Sequence, residues 1–280
     1  MRLELSLQPY YIGKEFNMIT FCSLFSGSSG NAIYIASKST KILIDCGVSG
    51  KRIAASLSSI GVEASEIDAI LVTHEHRDHT HSVGIMSRRY NIPVYANLNT
   101  WNGMSADIGS IKDENKRVFE TFNEFCINDI KIRPFAIPHD AAEPVGYNFT
   151  IDNKKITLAT DIGHVNDELI SYIEGSEMLL VESNHDIEML KCGSYPYYLK
   201  KRIIGEKGHL SNDAAGELVA LMACKGTNKF LLGHLSKENN FPQLAYQTVY
   251  NALQRKKIQA GKDVVLDIAH REKVSNIYRL

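Results

Sequence analysis

The chain has 280 residues, 44% of them hydrophobic and 22% charged, with a formal net charge of −1. That length buries a sizeable core and suggests one or two domains. The near-neutral balance excludes a polyelectrolyte that binds nucleic acid through its overall charge, so any such contact needs a local basic patch.

Met1–Asn17 contains Pro9 and Gly13 and shows no clean period. It reads as an N-terminal extension, either from an upstream start codon or as a loosely packed arm. Residues 18–280 carry no low-complexity tract and no linker, and read as one compact domain. Strands are expected at Ile19–Phe25, Ala32–Ala36 and Lys41–Asp45, then a helix at Lys51–Ile60. A short buried strand, Ala69–Thr73, precedes a helix at Ser82–Tyr90 and a strand at Val94–Ala96. The second half repeats the style, with strands at Asp129–Phe135, Val145–Ile151 and Lys154–Thr160. A helix at Asn166–Ile173 and a strand at Met178–Glu182 follow. Asn212–Cys224 reads as a helix capped by Ser211. Lys229–Leu232 is a strand, Pro242–Lys256 a helix with proline in its first turn, and Val264–Ala269 a closing strand. Two runs of strands with interspersed helices imply two sheets covered by helices on both outer faces.

Five cysteines, an odd number without C-x-x-C spacing, argue against a disulfide framework or a zinc knuckle. Four of them read as small buried hydrophobes, which fits a reducing compartment. No stretch has the form of a secretory signal or a membrane span, so a cytoplasmic location and no membrane partner are expected.

The sharpest local signal is Thr73-His74-Glu75-His76-Arg77-Asp78-His79. It follows a buried strand and packs imidazoles and carboxylates, the ligands that borderline divalent metals prefer. In extended chain His74 and His76 project to one side. A turn then returns Asp78 and His79 toward the same point. His139, Asp161 and His234 each stand just past an apolar strand, where binding residues tend to sit. Together they complete two coordination shells. His74, His76 and His139 would hold one ion, Asp78, His79 and His234 the other, and Asp161 would bridge both.

H-x-H-x-D-H followed by His, Asp and His resembles the metallo-β-lactamase superfamily, and the resemblance covers Met18 to the C-terminus. It implies an α/β fold, an αββα four-layer sandwich, in agreement with the element order. Four further stretches, Phe25–Asn31, Pro138–Ala141, Val181–Asp186 and Gly208–Gly216, join Gly233–Ser236 in resembling the YycJ/WalJ group of bacterial proteins. That likeness implies a metal-dependent nuclease with 5′-to-3′ DNA exonuclease activity. Other branches fit less well. A flavodiiron oxidoreductase would want a carboxylate where His76 stands, and one class of β-lactamases a cysteine where Asp161 stands. Asp161 and His234 are 73 residues apart, which strand, helix and loop already fill, so the inserted domain of ribonuclease J-like enzymes is lacking. His139 and Asp161 are 22 apart, which excludes the long arm of ribonuclease Z.

A phosphodiester substrate has separate support. The Ser26–Asn31 loop, with Ser26, Ser28, Ser29 and Asn31, offers amides and hydroxyls to phosphates. His209 precedes a helix capped by Ser211, whose N-terminal amides would welcome a phosphate. Lys200, Lys201, Arg202 and Lys207 read as contacts to a nucleic-acid backbone. His185 and Asp186 are accessory candidates. The implied mechanism uses two divalent ions, Zn2+ or Mn2+, that share a hydroxide, with Asp78 as ligand and orienting group. His209 would protonate or hydrogen-bond the leaving oxygen. The expected partner is nucleic acid, DNA rather than RNA, with no obligate protein partner. Two alternatives stay open: a small-molecule hydrolase of the same fold (a cyclic phosphodiesterase or thioester hydrolase), and a non-enzymatic regulatory protein.

Overall fold

The computed structural model describes residues 19–280, so the expected extension Met1–Asn17 lies outside the described residues. The first half contains strands β1 (Thr20–Phe25), β2 (Ala32–Ala36), β3 (Lys41–Ile44), β4 (Ala69–Leu71), β5 (Val94–Asn97) and β6 (Lys116–Phe119). Its helices are α1 (Gly50–Ser59), α2 (Arg77–Thr80), α3 (Val83–Tyr90) and α4 (Leu98–Ile108). The second half contains β7 (Phe125–Ile127), β8 (Ile130–Ala136), β9 (Val145–Ile151), β10 (Lys154–Ala159), β11 (Met178–Glu182), β12 (Lys229–Gly233) and β13 (Val265–Ile268). Its helices are α5 (Asp167–Ile173), α6 (Ile187–Cys192), α7 (Tyr197–Ile204), α8 (Asn212–Cys224) and α9 (Pro242–Arg255). A short last strand, β14 (Tyr278–Arg279), returns to pair with β1.

The strands form two seven-stranded sheets, in the orders β14-β1-β2-β3-β4-β5-β6 and β13-β12-β11-β10-β9-β8-β7. Each sheet is antiparallel on one side and parallel on the other: β3 to β6 run parallel in the first, β10 to β13 in the second. Successive side chains alternate between the two faces of a strand. In β1, Phe21 therefore enters the layer between the sheets, with Ile35, Ile42, Tyr147 and Phe149. Cys22 and Leu24 point the other way and pack with Ile53, Met86 and Met104 from α1, α3 and α4. On the far side Leu179, Val181 and Phe230 meet Leu218, Val249 and Leu253 of α8 and α9. Three apolar layers thus separate four layers of structure, α, β, β and α. Burial on both faces explains why the central strands read as continuous apolar runs.

α2, α4, β6, β7, α6, α7 and β14 were not expected from the sequence. The cysteines also differ from expectation. Cys22 and Cys46 are buried, but Cys126, Cys192 and Cys224 are exposed. Cys126 lies on the edge strand β7, and Cys192 and Cys224 end the helices α6 and α8, where one side faces solvent. No helix among the described residues is long and apolar enough to cross a membrane.

The topology places the site. β3 and β4 run parallel, so Asp45 and Thr73 emerge side by side from their C-terminal ends. β10, β11 and β12 run parallel, so Asp161, Glu182 and His234 also emerge together. β8 is antiparallel to β9, and β9 to β10, so β8 shares their direction and delivers His139 to the same edge.

Candidate metal centre

His74, His76, Asp78 and His79 come from the loop after β4, and His139, Asp161 and His234 from loops of the second sheet. The structure brings all seven together. One ligand atom each from His74, His76 and His139 lie within 4.8 Å of one another, as do those of Asp78, His79 and His234. Asp161 lies in a third such group with His74 and His79, and in a fourth with Glu182, His209 and His234.

The imidazoles are oriented from behind. His79 Nδ1 is 2.7 Å from Asp45 Oδ2, and the Thr73 hydroxyl donates to the same carboxylate at 2.9 Å. His74 Nδ1 is 3.0 Å from that hydroxyl. His139 Nδ1 is 3.2 Å from the Gly208 carbonyl, and His234 Nδ1 is 2.7 Å from Glu182 Oε1. Each partner is an acceptor, so the network assigns the proton to Nδ1 and leaves Nε2 to the interior. Two buried atoms, His234 Nε2 and Asp161 Oδ2, have no hydrogen-bond partner among the described residues. Buried polar atoms left so are rare, and a cation between them satisfies both. The donor set therefore fits divalent metal.

The charges agree. Burial holds His74 neutral, well below the usual imidazole range, helped by the neighbouring His79 and His139. Burial opposes the charged form of His79 too, but Asp161, Asp45 and Asp78 outweigh it and push its pKa up to about 9. His234 is raised as well: Asp161, Asp78 and Glu182 overcome its burial. Asp78 is lowered because His79 and His234 outweigh its burial, and Asp161 likewise beside His234, His79 and His139. Asp45, Asp161 and His234 all hold left-handed backbone, with φ of 61°, 60° and 55°. Such strain is stored where a side chain must be aimed.

Glu182 and Asp45 were given no role by the sequence. Glu182 is fully buried, yet its Oε1 accepts from His209 and His234 at 2.8 and 2.7 Å, and its Oε2 from the amides of Ile162 and Leu210. A buried carboxylate is tolerated only with such partners. The available signal was an acid closing a strand that is otherwise entirely apolar.

The remaining candidates divide. Ser28 and Ser29 are exposed and line a cavity of about 440 Å³ with Arg52, Arg77, Asp78 and His81. Ser26 and Asn31, expected as phosphate contacts, are buried instead. Ser26 Oγ accepts the His234 amide at 2.8 Å. Asn31 Oδ1 accepts the Gly27 amide, and its Nδ2 lies 3.0 Å from His79 Nε2. Both thus shape the loops that carry the candidate ligands His79 and His234. Ser211 caps α8 through the Ala214 amide and borders a second cavity, of about 530 Å³, with His209, His185 and Leu210. His185 is buried and its Nδ1 has no partner among the described residues; burial lowers its pKa to about 4. Asp186 caps α6 through the Met189 amide. Arg202 pairs with Asp140 at 2.5 Å, and Lys201 is exposed.

Residues 40–235 match the family model described as the β-lactamase superfamily domain. The chain belongs to the β-lactamase superfamily. Within it, the chain is 42% identical over 242 residues to exodeoxyribonuclease WalJ of Streptococcus pneumoniae, covering 86% of this chain and 90% of that protein. It is 39% identical over 242 residues to exodeoxyribonuclease YycJ of Bacillus anthracis, covering 86% and 92%. Among solved structures, the metallo-β-lactamase fold protein YhfI of Bacillus subtilis superposes with a TM-score of 0.68 at 14% identity, covering 94% of this chain and all of that one. The αββα sandwich expected from the sequence is the fold of this superfamily member.

Proposed function

We propose that this protein is a metal-dependent phosphodiesterase that degrades DNA exonucleolytically from the 5′ end. The observation that carries the reading is its likeness to two exodeoxyribonucleases across about nine-tenths of their length. The centre supplies the means. His74, His76 and His139 would hold one divalent ion, Asp78, His79 and His234 a second, and Asp161 would serve both. Two such ions, Zn2+ or Mn2+, lower the pKa of water and neutralise charge on phosphoryl oxygens.

The chain's own residues do the rest. Glu182 fixes the His209 ring through Nδ1, which leaves Nε2 toward the cavity to hold a proton for the leaving oxygen. Ser28, Ser29, Arg52 and Arg77 line the cavity beside Asp78 and would position a phosphate. The reading assigns the activity to residues 18–280 as one unit, working in the cytoplasm on DNA in preference to RNA. The test is a gel. Protein with Mn2+ or Zn2+ is incubated with 5′-phosphorylated double-stranded DNA, single-stranded DNA and RNA. Progressive loss of nucleotides from the DNA 5′ end is expected, and intact DNA with either metal overturns the reading.

A further inference from the structure

Helix α7 fully buries a single side chain, Ile203, while Tyr197 and Tyr198 are each 75% exposed and Ile204 is 52% exposed. An apolar face left in water on a short helix needs a reason. The surrounding chain has no carboxylate from Met189 to Gly205, yet it carries Lys191, Lys200, Lys201 and Arg202. Lys201 Nζ sits over the Tyr197 ring at 5.7 Å from its centre. Exposed aromatic rings interleaved with cations form the surface on which single strands are held, with bases stacked on the rings and phosphates met by lysines.

The helix is also continuous with the metal centre. The Ile203 carbonyl accepts the amide of His209 at 2.9 Å. Arg202 pairs with Asp140, the residue after His139. The cavity lined by His209, His185 and Ile204 adjoins another of about 490 Å³, lined by Tyr197, Lys200 and Lys201, and both include Lys191 and Ile204. One cleft thus leads from the proposed general acid to Tyr197. A small molecule bound at the metals would not extend along it, whereas a strand of several nucleotides would.

We infer that α7 is a stacking platform for the single strand that extends from the metal centre, with bases on Tyr197 and Tyr198 and phosphates on Lys200 and Lys201. The inference rests on the nuclease reading and adds a length requirement to it. A strand long enough to cover the cleft should bind and react better than a dinucleotide, because it gains the platform.

The metal-loaded protein tests this through anisotropy of a labelled strand of about 20 nucleotides carrying uncleavable phosphorothioate links, a length chosen to exceed one groove site. Rates on that length of ordinary DNA, on a dinucleotide and on bis(p-nitrophenyl) phosphate complete the set. Tyr197→Ala/Tyr198→Ala should bind the long strand about tenfold or more weakly, as the loss of one to two stacked bases implies. Its rates on the dinucleotide and on the small diester should equal those of the wild type, because neither tyrosine touches the centre. Lys200→Ala/Lys201→Ala should weaken binding and flatten its salt dependence. If the tyrosine variant binds and cleaves the long strand as the wild type does, the platform is refuted while the nuclease reading stands. If the wild type hydrolyses only the small diester and binds no DNA, both are refuted. An affinity loss for a protein partner with unchanged DNA binding would also overturn the inference.

Discussion

Glu182 holds two histidines for which different tasks are proposed, and that makes it the most informative single position. Its Oε1 accepts from both His209 and His234. Glu182→Gln keeps the shape, but its amide nitrogen donates where an acceptor is required. Groups that orient metal-binding histidines typically contribute 10–100-fold in affinity or activity, so Glu182→Gln should lose about that much of both. His209→Ala should instead keep both ions and lose rate, on the order of 10²–10⁴-fold for a missing general acid. Metal content beside rates separates the two variants; a His209→Ala protein depleted of metal would make His209 a ligand. His79 gives a pH signature. Without metal its folded pKa is raised to about 9, against about 6.5 in an unfolded chain. The folded state then binds the extra proton between these values. Its stabilisation is fully present below about pH 6.5 and is lost as pH rises through about 9. Metal must displace that proton, so affinity should rise with pH across the same window. Denaturant melts of the chelated protein from pH 6 to 9, beside metal titrations, check both signs.

At the scale of loops and strands, the loop after β4 that carries the proposed ligands meets the loops after β1 and β3 at Gly47. A Cβ there would lie 1.6 Å from the Asp78 carbonyl oxygen and 2.6 Å from the Asn31 amide nitrogen. Both are backbone atoms, which cannot swing aside as a side chain does. The Asn31 amide also donates to the Asp78 carbonyl at 2.8 Å, so the loops move as one. Gly47→Ala should therefore displace Asp78 and reduce metal content to about one ion or fewer, with only a modest loss of stability. Retention of two ions in that variant would show that the loops yield. The elements most legible in the sequence were those whose burial is strong and regular. Ala32–Ala36, Val145–Ile151, Met178–Glu182 and Asn212–Cys224 fall where expected. β6 was missed because it is an edge strand exposed at Lys116, Arg117 and Val118, with no alternation to read. α4 was missed because Gly103, a poor helix former, interrupts it; it packs against the Glu75 side chain. α7 buries one residue and leaves no period. In the site, the histidine-rich loop stood out because its four donors fall within six residues, His74 to His79. Asp45 and Glu182 did not, because a lone acid ending an apolar strand looks like any strand terminus until its partners are seen.

Across the whole molecule, the proposed ligands divide between the two halves of the sandwich. His74, His76, Asp78 and His79 follow β4 of the first sheet, and His139, Asp161 and His234 follow β8, β10 and β12 of the second. Apolar packing between the sheets already joins the halves, through residues such as Phe21, Tyr147 and Leu231. Ions held by both sets would add a second joint at one edge, where the chain concentrates buried charge. Without them that edge keeps Asp161, Asp78 and raised-pKa histidines close together, a cluster that tolerates desolvation poorly. Binding to the folded state alone stabilises by roughly 3–4 kcal/mol at 100 to 1,000 times Kd. For a chain of this size that corresponds to a Tm shift on the order of 5–10 °C. Chelation should lower the Tm by about that amount in a single transition, because both halves lose the same joint, and restored Zn2+ or Mn2+ should recover it. Asp161→Ala should show a smaller response to chelation than the wild type, since the residue proposed to serve both ions is gone. Separate melting of two units after chelation would show that the ions, and not the apolar layer, couple the halves; an unchanged Tm would show that the ions contribute nothing to folding.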